Sequence, residues 1–172
     1  GHKWLYSPKG SAILWVNPNQ QSHIVPTTIS YEGKGASSFV QGFSYQGTQD
    51  MSQFVSMAAA LDWRNRLHED RIMQYIHSMA MRGAKILADA WGTEQWGDHG
   101  MTGAMANIRI PTSNRTKAMA LMPQLLEKYG TYVPVWPMPF SEENVFYVRV
   151  SAQIYTDESD FEKLANWVLN LL

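Results

Sequence analysis

The chain has 172 residues, of which 45% are hydrophobic and 17% charged, and its formal net charge is -1. This composition supplies enough apolar material for a folded core and excludes a disordered chain. The near-neutral charge gives no electrostatic basis for binding nucleic acid or an anionic membrane surface. The absence of cysteine excludes a disulfide framework and thiolate metal sites, and no apolar run reaches the length of a membrane span. The length predicts one domain, or one domain with part of another.

The N-terminal segment contains the first candidate functional residue, Lys3. A lysine this close to the start of a chain is commonly a solvated, frayed residue. Here His2 and Trp4 flank the lysine, a Ser-Pro-Lys-Gly turn follows, and the unbroken apolar run at residues 11–16 predicts a buried strand. A lysine held at the mouth of a sheet is partly desolvated, which favours a role as a Schiff-base nucleophile.

The stretch after this strand is predicted to be irregular. Residues 17–21 predict a turn, and residues 23–29 predict a short strand that Pro26 places at an edge or a bulge. Residues 30–44 are rich in glycine and serine but also contain aromatic side chains. This composition predicts a loop that is ordered against other residues.

Gly47 and Thr48 precede a predicted helix over residues 51–67 and allow two interpretations. In the first, they belong to an ordinary helix start with Thr48 or Asp50 as the N-cap. In the second, Gly47 lets the backbone approach an anion and the Thr48 hydroxyl donates to a phosphate oxygen near the helix N-terminus. The residues alone leave both interpretations open.

Two long helices follow one another in the middle of the chain. Residues 51–67 have apolar side chains near a 3.6-residue spacing, which predicts an amphipathic helix. The second helix is predicted over residues 69–90, with residues 68–71 as the break between the two. The predicted inner face of the second helix consists of Ile72, Ile76, Met79, Ile86 and Leu87. His68, Glu69 and His77 are interpreted as a solvated polar face rather than metal ligands, because His77 lies too far along the helix.

The last part of the chain alternates strands and helices. Gly92 is predicted to end the second helix, and residues 93–103, with Asp98 and His99, are predicted to form a surface loop. The elements predicted after it are a strand at 104–110, a helix at 115–129, an edge strand at 133–136, a strand at 144–154 and a helix at 160–172. This order predicts an α+β unit, a small antiparallel-rich sheet with helices packed on one face.

Arg149 lies in the middle of the strongest predicted strand. The pleat places its side chain on the face opposite Val148 and Val150. A solvent-facing arginine is the simpler interpretation. Alternatively, the planar guanidinium binds a carboxylate through two parallel hydrogen bonds.

Three segments together resemble class V aminotransferase-fold enzymes, and within them the isopenicillin N epimerase-like branch. The first segment is His2-Lys3-Trp4-Leu5, with the Ser-Pro-Lys-Gly turn and the apolar run behind it. The second is the Gly47-Thr48 pair, and the third is the strand around Arg149 with Tyr155 and a terminal helix behind it. The three occur in the family's order, and they cover most of the chain.

The resemblance implies a role for each of these residues. Lys3 corresponds to the lysine that carries pyridoxal 5'-phosphate (PLP) as a Schiff base, and His2 to a neighbour of the cofactor phosphate. Gly47 and Thr48 correspond to the pair that reaches the phosphate of the partner subunit's PLP in a homodimer, although many relatives have Arg or Pro where this chain has Gln49. Arg149 corresponds to the arginine that binds the α-carboxylate of an amino acid substrate.

The resemblance also implies that the chain is the C-terminal portion of a longer, fold type I, α/β enzyme. Residues 1–50 would be a remnant of the large cofactor-binding domain, and residues 51–172 the linking helices and the small domain. We therefore expect this portion to be inactive alone and to hold PLP poorly. The reaction implied for the whole enzyme is transamination, epimerisation or loss of a side-chain fragment. The persulfide chemistry of cysteine desulfurases is disfavoured because the chain has no cysteine.

A non-catalytic α+β interaction or dimerisation module is the alternative function. It predicts that Lys3 and Arg149 both face solvent and never share a cleft. For the enzyme, we expect a small-molecule amino acid as the ligand, no nucleic acid or membrane partner, and a cytoplasmic location.

Overall fold

The computed structural model describes residues 1–28, 37–45, 47–137 and 144–172. The chain divides into two compact units, Gly1–Leu67 and His68–Leu172. The division coincides with the predicted break between the two long helices, where His68 has a φ of 63°. The domain boundary between residues 50 and 51, which the resemblance implies for the longer enzyme, stays a prediction.

The unit Gly1–Leu67 contains helices α1, Phe39–Ser44, and α2, Ser52–Arg66. The predicted buried strand at residues 11–16 is wrong: this run has no secondary structure, and Leu14 and Trp15 are 62% and 76% exposed. A strand requires a paired neighbour to satisfy its backbone groups, and the described residues of this unit form no strand. Without a partner strand, the apolar residues of this run are left largely exposed.

Local hydrogen bonds form two short helical segments in this unit, one at Pro18–His23 and the other at α1. Pro18–His23 forms a 3-10 turn, because the Asn17 side chain accepts from the backbone N–H of Asn19. This confirms the turn predicted at 17–21. The strand predicted at 23–29 is wrong for its described residues, because none of residues 23–28 is in a strand, and Ile29 lies outside them. The loop predicted at 30–44 is described only from Ser37, and its end forms α1, since the Ser38 hydroxyl accepts from the N–H of Gln41.

Helix α2 is confirmed, but its predicted amphipathic packing is wrong. Val55 is 74% exposed, Leu61 is 39% exposed, and the buried residue of this helix is Arg64. The N-cap position is Met51, which makes no side-chain cap, while the Asp50 carboxylate accepts from the N–H of Ser52 at 2.9 Å. This hydrogen bond holds the pKa of the Asp50 carboxyl below its usual value.

The unit His68–Leu172 has the predicted α+β architecture. Its elements are α3, Glu69–Trp91; β1, Gln95–Trp96; β2, Met105–Arg109; α4, Arg115–Tyr129; β3, Val135–Pro137; β4, Phe146–Ser151; and α5, Glu158–Leu171. The strands form one antiparallel sheet in the order β1-β2-β4-β3. Strand β1 lies within the predicted surface loop at 93–103, so this loop prediction is wrong at residues 95 and 96, while a short 3-10 turn covers His99–Met101.

Sequence signals for the helix ends agree with the structure in this unit. Gly92 and Gly130 both have φ of 62° and end α3 and α4 in the left-handed conformation that glycine tolerates best. The Asn114 side chain accepts from Lys117 N–H at the start of α4, and Asp157 and Asp160 form a capping box at the start of α5. Helix α4 begins at Arg115 and contains Pro123, eight residues after its start.

The core of this unit lies between the sheet and its helices. Ala106, Ile108, Val148 and Val150 point from the two central strands toward the helices, and each is at most 3% exposed. Helix α3 packs on β1, β2, β4 and α5, while α4 packs on β3 and α5. The alternating residues of the strands consequently lie on the opposite face of the sheet, which we call the outer face. Its residues are Trp96, Met105, Asn107, Arg109, Trp136, Tyr147 and Arg149.

Candidate active site

Arg149 lies on the outer face at the centre of the sheet. It is directly opposite Asn107 of β2, which in turn is opposite Trp96 of β1. The backbone N–H of Arg149 donates to the carbonyl of Pro134, away from β2. Asn107 and Arg149 therefore form a non-hydrogen-bonded antiparallel pair, the kind in which opposite side chains approach most closely.

The surroundings of Arg149 leave part of its guanidinium unsatisfied. Its Cζ lies 5.3 Å from the ring centroid of Trp136, within the range of a cation–π interaction. Its Nε is buried and has no hydrogen-bond partner among the described residues. No ion pair of Arg149 with a described carboxylate is observed, so its charge is available to an anionic ligand.

A cleft of about 420 Å³ opens beside Arg149 over the β1 side of the outer face. Its lining includes Trp96, Met101, Met105, Asn107 and the acidic residue Asp98. A second cleft of about 310 Å³ on the other side is lined by Tyr132, Pro134, Ser151 and again Arg149. Arg149 is shared by the two clefts, which is suitable for a group that fixes one end of a small ligand.

The neighbouring row of the outer face is electrostatically satisfied. Arg109 lies 3.3 Å from the carboxylate of Glu94, and Tyr147 is opposite Arg109. Burial raises the pKa of the Tyr147 hydroxyl, and the charge of Glu94 adds to this shift. The phenol is therefore neutral at physiological pH, and among the described residues of the outer face Arg149 is the cation without an ion pair.

Lys3 occupies an exposed turn in the unit Gly1–Leu67. The expectation of a desolvated lysine at the mouth of a sheet is wrong for this unit, because no strand follows it. His2 beside it is also exposed. Among the described residues, none forms a hydrogen bond or ion pair with the Lys3 amine, which leaves this nucleophile accessible.

Helix α2 fixes the backbone on the C-terminal side of Lys3. The guanidinium of Arg64, which is 4% exposed, donates to the carbonyl oxygen of Trp4 and lies 5.2 Å from the ring centroid of Tyr6. The Tyr6 ring also makes an edge-to-face contact with the Trp63 ring, with the ring centroids 5.1 Å apart. Two successive residues of α2 therefore hold Trp4 and Tyr6, the residues that follow Lys3.

Gly47 and Thr48 precede the other end of the same helix. Gly47 has a φ of 100°, which an L side chain rarely adopts, and an added Cβ would meet no atom within 4 Å. The requirement for glycine at this position is therefore conformational rather than steric. Thr48 is exposed, so its hydroxyl is free to reach a ligand.

Comparisons with known proteins identify the family of this chain. The family model "Aminotransferase class-V" matches residues 1–164. The chain belongs to the aminotransferase class V family. This family is PLP-dependent, which agrees with the resemblance carried by Lys3, Gly47-Thr48 and Arg149.

Three curated relatives of this class V chain have different named activities. Hercynylcysteine sulfoxide lyase of Schizosaccharomyces pombe is 28% identical, with 95% of this chain covering 42% of that protein. L-cysteine desulfhydrase of Arabidopsis thaliana is 27% identical, with 99% covering 41%. Isopenicillin N epimerase of Amycolatopsis lactamdurans is 25% identical, with 96% covering 44%. The chain therefore spans about two fifths of the length of these relatives.

A solved structure confirms the fold expected for a class V member. Serine palmitoyltransferase of Sphingomonas wittichii superposes with a TM-score of 0.56 at 18% identity. The match covers 77% of this chain and 33% of that protein. This likeness supports the fold type I assignment of the small antiparallel sheet and its helices.

The class V assignment raises the question of whether the residues present suit PLP. Lys3 offers an accessible primary amine, the group that reacts with an aldehyde. The backbone at Gly47 and the exposed Thr48 hydroxyl offer donors of the kind that bind phosphate. The donor set therefore fits the aldehyde and phosphate ends of the cofactor, and the planar Arg149 guanidinium fits a carboxylate.

Sequence reasoning missed two residues of this arrangement. Arg64 gave no signal because its role depends on a contact with Trp4, far away along the chain. Asn107 became visible only with the register of β2 and β4. Lys3 and Thr48 belong to one unit and Arg149 to the other, and the geometry of each is described within its own unit.

Other site classes find no support in the described parts of the chain. Residues 1–28, 37–45, 47–137 and 144–172 contain no group of three His, Asp or Glu side chains placed to hold a metal ion. Among the helices that these ranges include, none has the length and apolar character needed to cross a membrane.

Proposed function

We propose that this chain is the C-terminal portion of a PLP-dependent enzyme that transforms an amino acid, of the aminotransferase or epimerase type, and that it is inactive alone. Membership of the class V family supports the cofactor. The match to about two fifths of each relative supports the view that other parts of the active site lie elsewhere. In this proposal the enzyme is a homodimer in which Gly47 and Thr48 bind the partner subunit's cofactor phosphate.

The observation that carries the proposal is the environment of the Arg149 guanidinium. Its guanidinium lies in a cleft, partly buried, against the Trp136 ring and without a carboxylate partner among the described residues. A buried, unpaired charge is unfavourable, and a ligand carboxylate is the partner that the planar fork fits best. Arg149 is therefore the residue that binds and orients the α-carboxylate of the substrate.

Lys3 has two tasks in this proposal. Its amine would hold the cofactor at the aldehyde carbon, and His2 would lie next to the cofactor phosphate. When free, the Lys3 amine would accept the proton from the substrate Cα. PLP, when bound, supplies an electron sink for the charge left on that carbon.

Borohydride reduction tests the assignment of Lys3. The full-length protein is incubated with PLP, reduced, digested and mapped by mass spectrometry. We expect a pyridoxyl group on Lys3 and its loss in Lys3→Gln, whereas Lys9→Gln, which changes another exposed lysine of the same segment, keeps the label. A label on a different lysine, or none, would overturn the enzyme proposal and favour the non-catalytic module.

A matched pair of arginine variants tests the carboxylate site. Arg149→Gln removes the charge in the cleft, and Arg82→Gln removes a surface arginine paired with Glu158. Hydrogen bonds to charged groups contribute about 1.5–3 kcal/mol, so we expect Arg149→Gln to raise KM for the amino acid by about 10- to 100-fold. Arg82→Gln is expected to leave KM unchanged. Products are scored for transamination, epimerisation and side-chain loss, because the relatives include a lyase, a desulfhydrase and an epimerase.

A further inference from the structure

Two buried polar atoms on the outer face lack hydrogen-bond partners among the described residues: Asn107 Oδ1 and Arg149 Nε. One is an acceptor and the other a donor. They belong to side chains that are directly opposite each other on β2 and β4. Buried polar groups in folded proteins are almost always satisfied, so two orphans side by side mark a place where a partner is missing.

The register explains why both side chains line the same cleft. Residues 107 and 149 form a non-hydrogen-bonded pair, and both line the cleft of about 420 Å³ together with Trp96. The donors that line this cleft include the indole N–H of Trp96 and the Thr102 hydroxyl, and the Thr102 hydroxyl donates to the Asp98 carbonyl at 3.1 Å. Neither group is bonded to Asn107 Oδ1, so a ligand in the cleft can supply the missing donor.

We propose that Asn107 is a specificity-determining residue of the Arg149 carboxylate site, and that it selects carboxylates bearing an N–H or O–H donor next to the carboxylate group. This inference rests on the proposed function and deepens it. The ligand carboxylate pairs with the Arg149 guanidinium, while a donor on the ligand satisfies Asn107 Oδ1. A carboxylate without a donor binds Arg149 but leaves the Asn107 oxygen buried and unsatisfied, which lowers its affinity.

A purely structural role for Asn107 makes the opposite prediction for stability. If Asn107 supported the sheet, replacing it would destabilise the free protein. If it is an unsatisfied acceptor kept for a ligand, Asn107→Leu, which is similar in size and apolar, removes the unfavourable group. We expect Asn107→Leu to raise the melting temperature of the ligand-free protein, and Asn166→Leu, at an exposed position of α5, serves as the matched control.

Binding is measured with three ligands that share a three-carbon skeleton: propionate, L-lactate and L-alanine. Propionate has no donor beside its carboxylate, lactate has a hydroxyl, and alanine has an ammonium group. Calorimetric titration of the PLP-free, full-length protein is expected to show lactate and alanine binding about three- to tenfold more tightly than propionate, the range of one net hydrogen bond. In Asn107→Leu the three affinities become equal, and Asn107→Ala gives the same result if the leucine variant fails to fold.

The outcomes separate this inference from the proposed function. Loss of all three affinities in Arg149→Gln, with equal affinities in wild type, would overturn the role of Asn107 and leave the carboxylate site intact. Propionate binding that does not change in Arg149→Gln would overturn the carboxylate site itself. A lower melting temperature for Asn107→Leu, with the preference for lactate retained, would show that Asn107 is a structural residue.

Discussion

Gly83 of α3 permits the close packing of α3 on α5, and replacing it tests the whole arrangement of these helices. A Cβ built at Gly83 would lie 2.4 Å from Cε1, 2.5 Å from Cζ and 2.6 Å from Cδ1 of Phe161. Carbon atoms pack best at about 3.5–4.0 Å, so the methyl group is roughly 1 Å too close to the ring. Phe161 is 3% exposed and belongs to the core, so its ring cannot move without displacing other core side chains.

The magnitude follows from two opposing contributions. In the interior of a helix, alanine is favoured over glycine by about 1 kcal/mol. An extra carbon in a packed core costs about 1–3 kcal/mol. With three ring atoms below van der Waals distance, we place the steric cost at the upper end, so Gly83→Ala is expected to destabilise the protein by about 1–2 kcal/mol.

Urea unfolding followed by circular dichroism gives the change in the free energy of unfolding, and hydrogen exchange locates it in α3 and α5. The control is a double-mutant cycle with Phe161→Leu, since leucine lacks two of the three clashing atoms. In that background Gly83→Ala should be neutral or stabilising. A stabilising effect of Gly83→Ala in the wild-type background would refute the packing described for these helices.

Three further predictions concern other contacts. Trp91→Phe removes the hydrogen bond from the buried Trp91 indole to the carbonyl of Ala165 at 3.1 Å, and should lower the free energy of unfolding by about 1–3 kcal/mol in urea titrations. Hydrogen bonds from the start of α5 hold the pKa of the Asp157 carboxyl below its usual value. Its stabilisation is therefore present above the unfolded pKa of about 3.9 and is lost as the pH falls through the lower folded value. Asp157→Ala should reduce the melting temperature at neutral pH, by an amount that shrinks below about pH 4, while Asp157→Asn keeps the cap and loses this pH dependence. Arg64→Gln should speed hydrogen exchange at Ser7, whereas Arg66→Gln, at an exposed position of the same helix, should not.

The unit His68–Leu172 could be predicted from sequence because its signals are local. The sequence predicts helix ends at Gly92 and Gly130 and helix starts at Ser113 or Asn114 and at Asp157 or Ser159. In the structure the caps are Gly92, Asn114, Gly130 and Asp157. The period of two along β4 placed Arg149 opposite Val148 and Val150, and their burial confirms that pattern. Strand β1 was missed because two residues are too short for a periodic signal, and its existence depends on pairing with β2.

The unit Gly1–Leu67 could not be predicted in the same way. The apolar run at residues 12–16 has the composition of a buried strand, yet Ile13 and Trp15 are 62% and 76% exposed. A local rule reports what a segment prefers when partners are available, and it contains no information on whether they are. In α2 the apolar periodicity predicted a buried apolar face, but the buried residue is the charged Arg64, which contacts Trp4 and Tyr6.

The two parts of the carboxylate site show the same distinction within one sheet. Arg149 was a candidate from its own strand, because a pleat determines the face of a side chain without reference to other strands. Asn107 required the pairing of β2 with β4, and a shift of that register by one residue would move it to the core side of the sheet. The register of β2 and β4 leaves Asn107 Oδ1 and Arg149 Nε without partners among the described residues, and in our proposal both atoms bind one ligand. Stability and specificity should accordingly change in opposite directions when Asn107 is replaced by leucine, which a residue kept for packing alone would not do.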